Sequence, residues 1–142
     1  MREIAAFFSI LMPGVGQMYN GQIIKGIVFM LIEHFDNSFG KINKAIYLDF
    51  NGFHQQALEV LQHDFAMFYP GFYVYVVWDS YYNGEPHGNK KTAIPFVIAG
   101  FLGEIATIFS KYLPIPTLTI GLSMLIPMIA TIIFYKDKNR GN

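Results

Sequence analysis

Cysteine is missing from all 142 residues, which excludes disulfides, thiol catalysis and cysteine-based zinc sites. Charge is scarce: Asp, Glu, Lys and Arg make up 14% of the chain, where a soluble domain carries about a quarter. Ten basic residues balance ten acidic ones, so there is no net positive field to hold nucleic acid, and none is expected as a partner. Catalytic signatures are missing too. There is no Ser–His–Asp spacing, nucleotide fingerprint or HExxH, and the glycine-rich turn at residues 13–16 lacks the Lys-Ser/Thr pair of a phosphate loop. His34, His54 and His63, with Glu33, Asp36 and Asp64, are metal-ligand types, but no spacing among them matches a zinc pattern. The expectation is a protein that is not an enzyme, with no metal and no cofactor.

What the chain has instead is apolar length. Hydrophobic residues make up 53%, with 14 Phe and 9 Tyr, ring types that collect at membrane interfaces. Five apolar stretches stand out, at residues 4–18, 23–32, 65–78, 93–109 and 118–135. A helix needs about 20 residues to cross the hydrocarbon core. The last three reach that length with modest extension; the first two are short. Arg2 followed by an apolar run looks like the start of a signal peptide. No small-x-small cleavage site follows, so the segment is read as retained.

Residues 36–63 form the one substantial polar stretch. Within it Ile42, Ile46, Phe50, Phe53, Ala57, Val60 and Leu61 recur at helical spacing, with Asn51-Gly52 as a breaking point. This predicts an amphipathic helix lying in the membrane interface, or equally a cap over the bundle mouth.

Basic residues set the orientation. Lys90 and Lys91 precede the fourth stretch and Lys136, Lys138 and Arg140 follow the fifth, so both clusters can be cytoplasmic and residues 36–63 external. Before Pro13 the first stretch covers only about 15 Å at 1.5 Å per residue. It either crosses fully, leaving Arg2 outside, or re-enters and keeps both ends cytoplasmic; full crossing is the expectation favoured here. Pro127 should kink the fifth stretch, with Ser123 placed to satisfy the freed carbonyl.

The densest signal is Pro13-Gly14-Val15-Gly16-Gln17-Met18-Tyr19-Asn20-Gly21-Gln22-Ile23-Ile24-Lys25-Gly26. It reads as a helix end, a polar elbow and a new helix start. Pro13 and two glycines permit a sharp reversal, and Gln17, Asn20 and Gln22 offer amides to satisfy exposed backbone. Gly21 and Gly26 leave room for close helix approach. A second block, Tyr69 to Tyr81, ends in Trp78-Asp79-Ser80-Tyr81.

These two blocks resemble the TM2-domain family in its bacterial form, whose signature is PGxGQxYNGQxxKG followed by an aromatic span ending in Asp-Ala-Tyr. Ser80 stands here in place of the usual Ala. The resemblance covers residues 4–82; the 36–63 insert is longer than a minimal unit, and the last two spans lie outside it. It implies a small multi-pass protein of a bacterial cell membrane and no defined activity. Under it, Asp79 is expected to bond the elbow, through Lys25 or the backbone near Gly14 and Gly16.

Glu104 is the one carboxylate well inside an apolar stretch, where it costs several kcal/mol unless neutralised or paired. Ala99, Gly100, Gly103 and Ala106 give the same stretch a small-residue face for helix packing. The fold expected is an all-α membrane bundle divided into residues 1–35 (an N-terminal hairpin), 36–63 (external), 64–82 (third span) and 83–142 (a two-span hairpin with a cytoplasmic tail). The function expected is an accessory or scaffold whose partners are the bilayer and another membrane protein or a second copy. The alternative is a small transport or channel subunit using Glu104.

Overall fold

The computed structural model describes residues 1–135. The expected cytoplasmic cluster Lys136, Lys138 and Arg140 lies outside the described residues. Among those described, the chain is all-helical, with no strand.

The first helix, α1 (Arg2–Leu11), ends where Met12 turns extended and Gly14 takes φ +100°, a left-handed conformation open to glycine. A single short helix, α2 (Val15–Tyr19), brings the chain back. The first stretch is thus not one continuous helix but ten residues and then five on either side of the reversal. The Arg2 backbone N–H donates to Glu85 O at 3.0 Å, while the Tyr73 hydroxyl donates to Ile10 O at 2.7 Å. Ten helical residues thus run antiparallel along only half of α6 (His63–Tyr82) before reversing. Arg2 is buried, its guanidinium 4.7 Å from the centre of the Tyr81 ring.

Helix α3 (Ile23–Gly40) then runs the full length of α6 in the opposite sense. Two short helices follow, α4 (Ile42–Phe50) and α5 (His54–Val60), separated at Asn51-Gly52, where Gly52 has φ +87°. Gln62 N donates to Gly40 O at 3.0 Å, closing this excursion where it began. Ile42, Ala45, Ala57, Leu61 and Ala66 bury one another, so residues 42–60 fold into a two-helix cap.

Helices α7 (Ala93–Ile108) and α8 (Pro116–Phe134) complete the bundle against α6. The main core joins Ala6 of α1 to Tyr73, Val74, Val77 and Tyr81 of α6, Phe96 and Ala99 of α7, and Met124, Met128 and Ile132 of α8. Gly100 and Gly103 face inward: a Cβ on Gly103 would meet Met124 Cγ at 2.6 Å, so this small-residue face is used within the chain. Helix α8 continues through Pro127. The Ser123 hydroxyl donates to Ile120 O at 2.7 Å, not to the carbonyl that Pro127 frees, because the proline leaves Ser123's own carbonyl unpaired.

Among the described residues, two helical segments, Lys90–Ile108 and Pro116–Phe134, are long and apolar enough to cross a membrane. Helices α3 and α6 do not meet the same measure. Lys25, Glu33 and Asp36 interrupt the one, and Asp64, Asp79 and several tyrosines lower the hydropathy of the other.

Candidate functional site

The polar elbow closes on α6 around one carboxylate. Asp79 is buried, and each of its oxygens is engaged. Lys25 Nζ donates to Oδ1 at 2.6 Å, Asn83 Nδ2 to the same oxygen at 2.9 Å, and Gln17 Nε2 to Oδ2 at 3.0 Å. Gln17, itself fully buried, also donates to Val76 O at 2.8 Å and accepts from the Ser9 hydroxyl at 3.2 Å. Asn20 Nδ2 reaches Ser80 O at 2.8 Å. One amide side chain therefore ties α1, α2 and α6 together, and one ammonium ties α3 to the same carboxylate. Such a buried charge is tolerated because both of its oxygens have donors.

The motif's glycines divide by role. A Cβ on Gly16 would run into Ala5 O and the Ser9 hydroxyl, and one on Gly26 would lie 2.6 Å from Gly14 O. Gly14, Gly16 and Gly26 thus permit helix contact. Gly21 does not: a Cβ there would meet nothing within 4 Å, and its φ of +79° is what the turn needs. Pro13 is buried at the reversal, and Tyr19 packs its ring against Phe8 at 5.4 Å. Gln22 Oε1 is buried with no partner among the described residues.

Glu104 lies apart from this network. It closes one end of a groove of about 390 Å³ between α6 and α7, lined otherwise by Gly71, Tyr75, Trp78, Phe96, Phe101 and other apolar residues. Its Oε1 lies close to Gly71, while Oε2 is buried with no partner among the described residues. Among the described residues no Ser or Thr satisfies it, and no second carboxylate, amine or imidazole lines the groove.

Sequence reasoning missed a second polar centre. Asp49 of α4 is buried, and its Oδ2 accepts from the backbone N–H of Thr117 at 2.7 Å and from the Thr117 hydroxyl, while Oδ1 meets His54 Nδ1. It thereby satisfies an N–H in the first turn of α8 and fastens the cap to the bundle. Burial pushes the Asp49 carboxyl up, but the Thr117 hydroxyl, His54 and the Thr117 N–H outweigh it and hold it below its usual range. No periodicity marks such a residue, because its partner sits 68 positions away.

A larger cavity, about 430 Å³, opens below the cap. Its lining is mostly apolar, with Glu33 as the one charged group among the described residues. Elsewhere His34 packs on Phe35, and no three His, Cys, Asp or Glu side chains gather into a metal-binding group among the described residues. The chain matches no protein-family model, no curated protein and no solved structure.

Proposed function

We propose that this protein is a multi-pass membrane protein that carries out no reaction of its own and serves as an accessory or scaffold, through lateral contacts with lipid or neighbouring membrane proteins. The observation that carries this reading is the distribution of its apolar side chains. Ile24, Leu31, Ile94, Phe101, Ile126 and Phe134 are each more than half exposed, on three long helices. In water such continuous apolar faces would drive aggregation; in lipid they are the ordinary outer surface of a bundle. On this reading α3 and α6 cross beside α7 and α8, and α1–α2 re-enters from one side. Arg2, Lys25, Lys90 and Lys91 gather at that side, which makes it cytoplasmic by the positive-inside tendency.

Kinship with the TM2-domain family rests on the two motif blocks alone. It is supported by their meeting through Gln17, Lys25 and Asp79. The accessory reading is favoured over a pore because the groove holding Glu104 offers no second charged group to pass an ion along.

The test is carbonate extraction of native membranes, followed by photo-crosslinking from Val97 or Phe101 on the α6–α7 face and mass spectrometry. Retention in the pellet with a position-dependent crosslinked protein or lipid is the expected result. Release by carbonate would end the membrane reading. Retention without crosslinks, together with Glu104-dependent ion flux in proteoliposomes, would replace the scaffold with a transporter.

A further inference from the structure

On α7, Ala93, Phe96, Val97, Gly100, Phe101 and Glu104 recur at helical spacing, so they make one continuous wall of the groove shared with α6. From Ala93 to Glu104 this wall rises about 16 Å at 1.5 Å per residue. That is the depth of one leaflet, half of a hydrocarbon core about 30 Å thick.

The outer end of the groove is fixed at the level of the head groups. Trp78 Nε1 donates to Thr92 Oγ1 at 3.2 Å, which sets this indole beside the start of α7. Trp78 also stacks on Tyr82 at 5.1 Å, and rings of this kind collect where hydrocarbon meets water. One turn before Ala93, in the same row, stands Lys90, the first residue of a short 3-10 helix packed on α6. Lys90 and Lys91 are exposed, and no carboxylate pairs with either among the described residues.

Depth and charge together decide the occupant. A partner's spanning helix needs a seam across the whole core, about twice the length of this groove. Glu104 ends the groove at mid-depth, where a longer apolar segment would have to lie against its carboxyl. An acyl chain of one leaflet fits that length, and its phosphate then falls at the level of Lys90. An unpaired ammonium there favours an anion.

We propose that this groove seats one acyl chain of an anionic phospholipid from the cytoplasmic leaflet, with the Lys90 ammonium donating to its phosphate. The proposal deepens the accessory reading by naming the ligand of the α6–α7 face, and it rests on the membrane placement argued above. Gly71 supplies the test, since it lines the groove and a Cβ there would meet only Glu104 Oε1, at an ordinary 3.8 Å. Gly71→Leu should fill the groove without moving backbone.

The full chain, purified in detergent with equal phosphatidylglycerol and phosphatidylcholine, is examined by native mass spectrometry. Wild-type protein should retain phosphatidylglycerol preferentially. Gly71→Leu should reduce retention about tenfold with an unchanged or higher melting temperature, and Lys90→Gln should lower the head-group preference about fivefold. Equal retention by wild type and Gly71→Leu, or a preference that Lys90→Gln leaves intact, overturns the proposal while the membrane reading stands. So does a protein, in place of a lipid, crosslinked from Val97 in native membranes. A chain that carbonate washes from membranes overturns both.

Discussion

Lys25 and Asp79 are 54 residues apart in the chain and 2.6 Å apart in space, and the two sides of the contact are unequal. The Lys25 side chain is 37% exposed and can turn to water, whereas Asp79 is buried with Gln17 and Asn83 also bonded to it. Removing the ammonium leaves the carboxylate two donors; removing the carboxylate lets Lys25 turn to water but takes from the buried Gln17 amide and from Asn83 one acceptor each.

Asp79→Ala should therefore destabilise the bundle by about 3 kcal/mol or more, and Lys25→Ala by roughly 1 kcal/mol. Thermal melting in detergent micelles measures both. A larger loss for Lys25→Ala would mean that the ion pair, not the amide network, joins the elbow to α6.

The parts of this site differ in how they could be read from sequence. Residues 13–26 pack proline, glycines and amides so densely that an elbow is legible from residue type alone. Asp79 stands at the end of an apolar run, where a carboxylate draws notice. Whether α1 would cross or turn back was not legible, because Pro13-Gly14 breaks the helix in either case. Contacts with Tyr73 and Glu85 decide it, and those lie more than sixty residues on. The break at Asn51-Gly52 could be seen, but the cap's attachment could not, since Asp49 looks like any polar residue on an amphipathic face. The cavity below the cap has no sequence signal at all: it is the space that a half-length helix leaves.

Glycine substitutions separate helix contact from mere occurrence in a helix. Gly16→Ala places a methyl against Ala5 O and the Ser9 hydroxyl and should cost about 1–3 kcal/mol. Gly121→Ala meets open space in mid-helix and should gain up to about 1 kcal/mol from helix propensity. Melting of the two variants side by side checks the sign difference, and a shared loss would contradict the packing described for α1 and α2.

Acid should loosen the cap through Asp49. Its carboxyl ionises more readily in the folded chain than in the unfolded one, so the unfolded state binds more protons as pH falls. The stabilisation is fully present above the usual carboxylate value of 3.8 and is lost as pH drops through the lower folded value. Wild-type protein should thus show a steeper fall in melting temperature below about pH 4 than Asp49→Asn, which has nothing to protonate and is less stable at neutral pH. Parallel curves for the two proteins would remove Asp49 from the account.

Glu104 yields the clearest separation between stability and function. Its Oε2 is buried with no partner among the described residues, so the carboxylate contributes little that the fold requires. Replacing a half-buried, poorly satisfied carboxyl by an apolar side chain of similar size relieves a desolvation cost. Glu104→Leu should therefore raise the melting temperature of the isolated protein, by a change equivalent to about 1 kcal/mol. If the carboxylate is retained to receive a donor from a neighbouring helix or lipid, the same variant should lose crosslinks from Val97 and Phe101. Glu104→Gln, which keeps an acceptor, should retain part of them. A variant that is both less stable and equally well crosslinked would show that Glu104 serves the fold and not a partner.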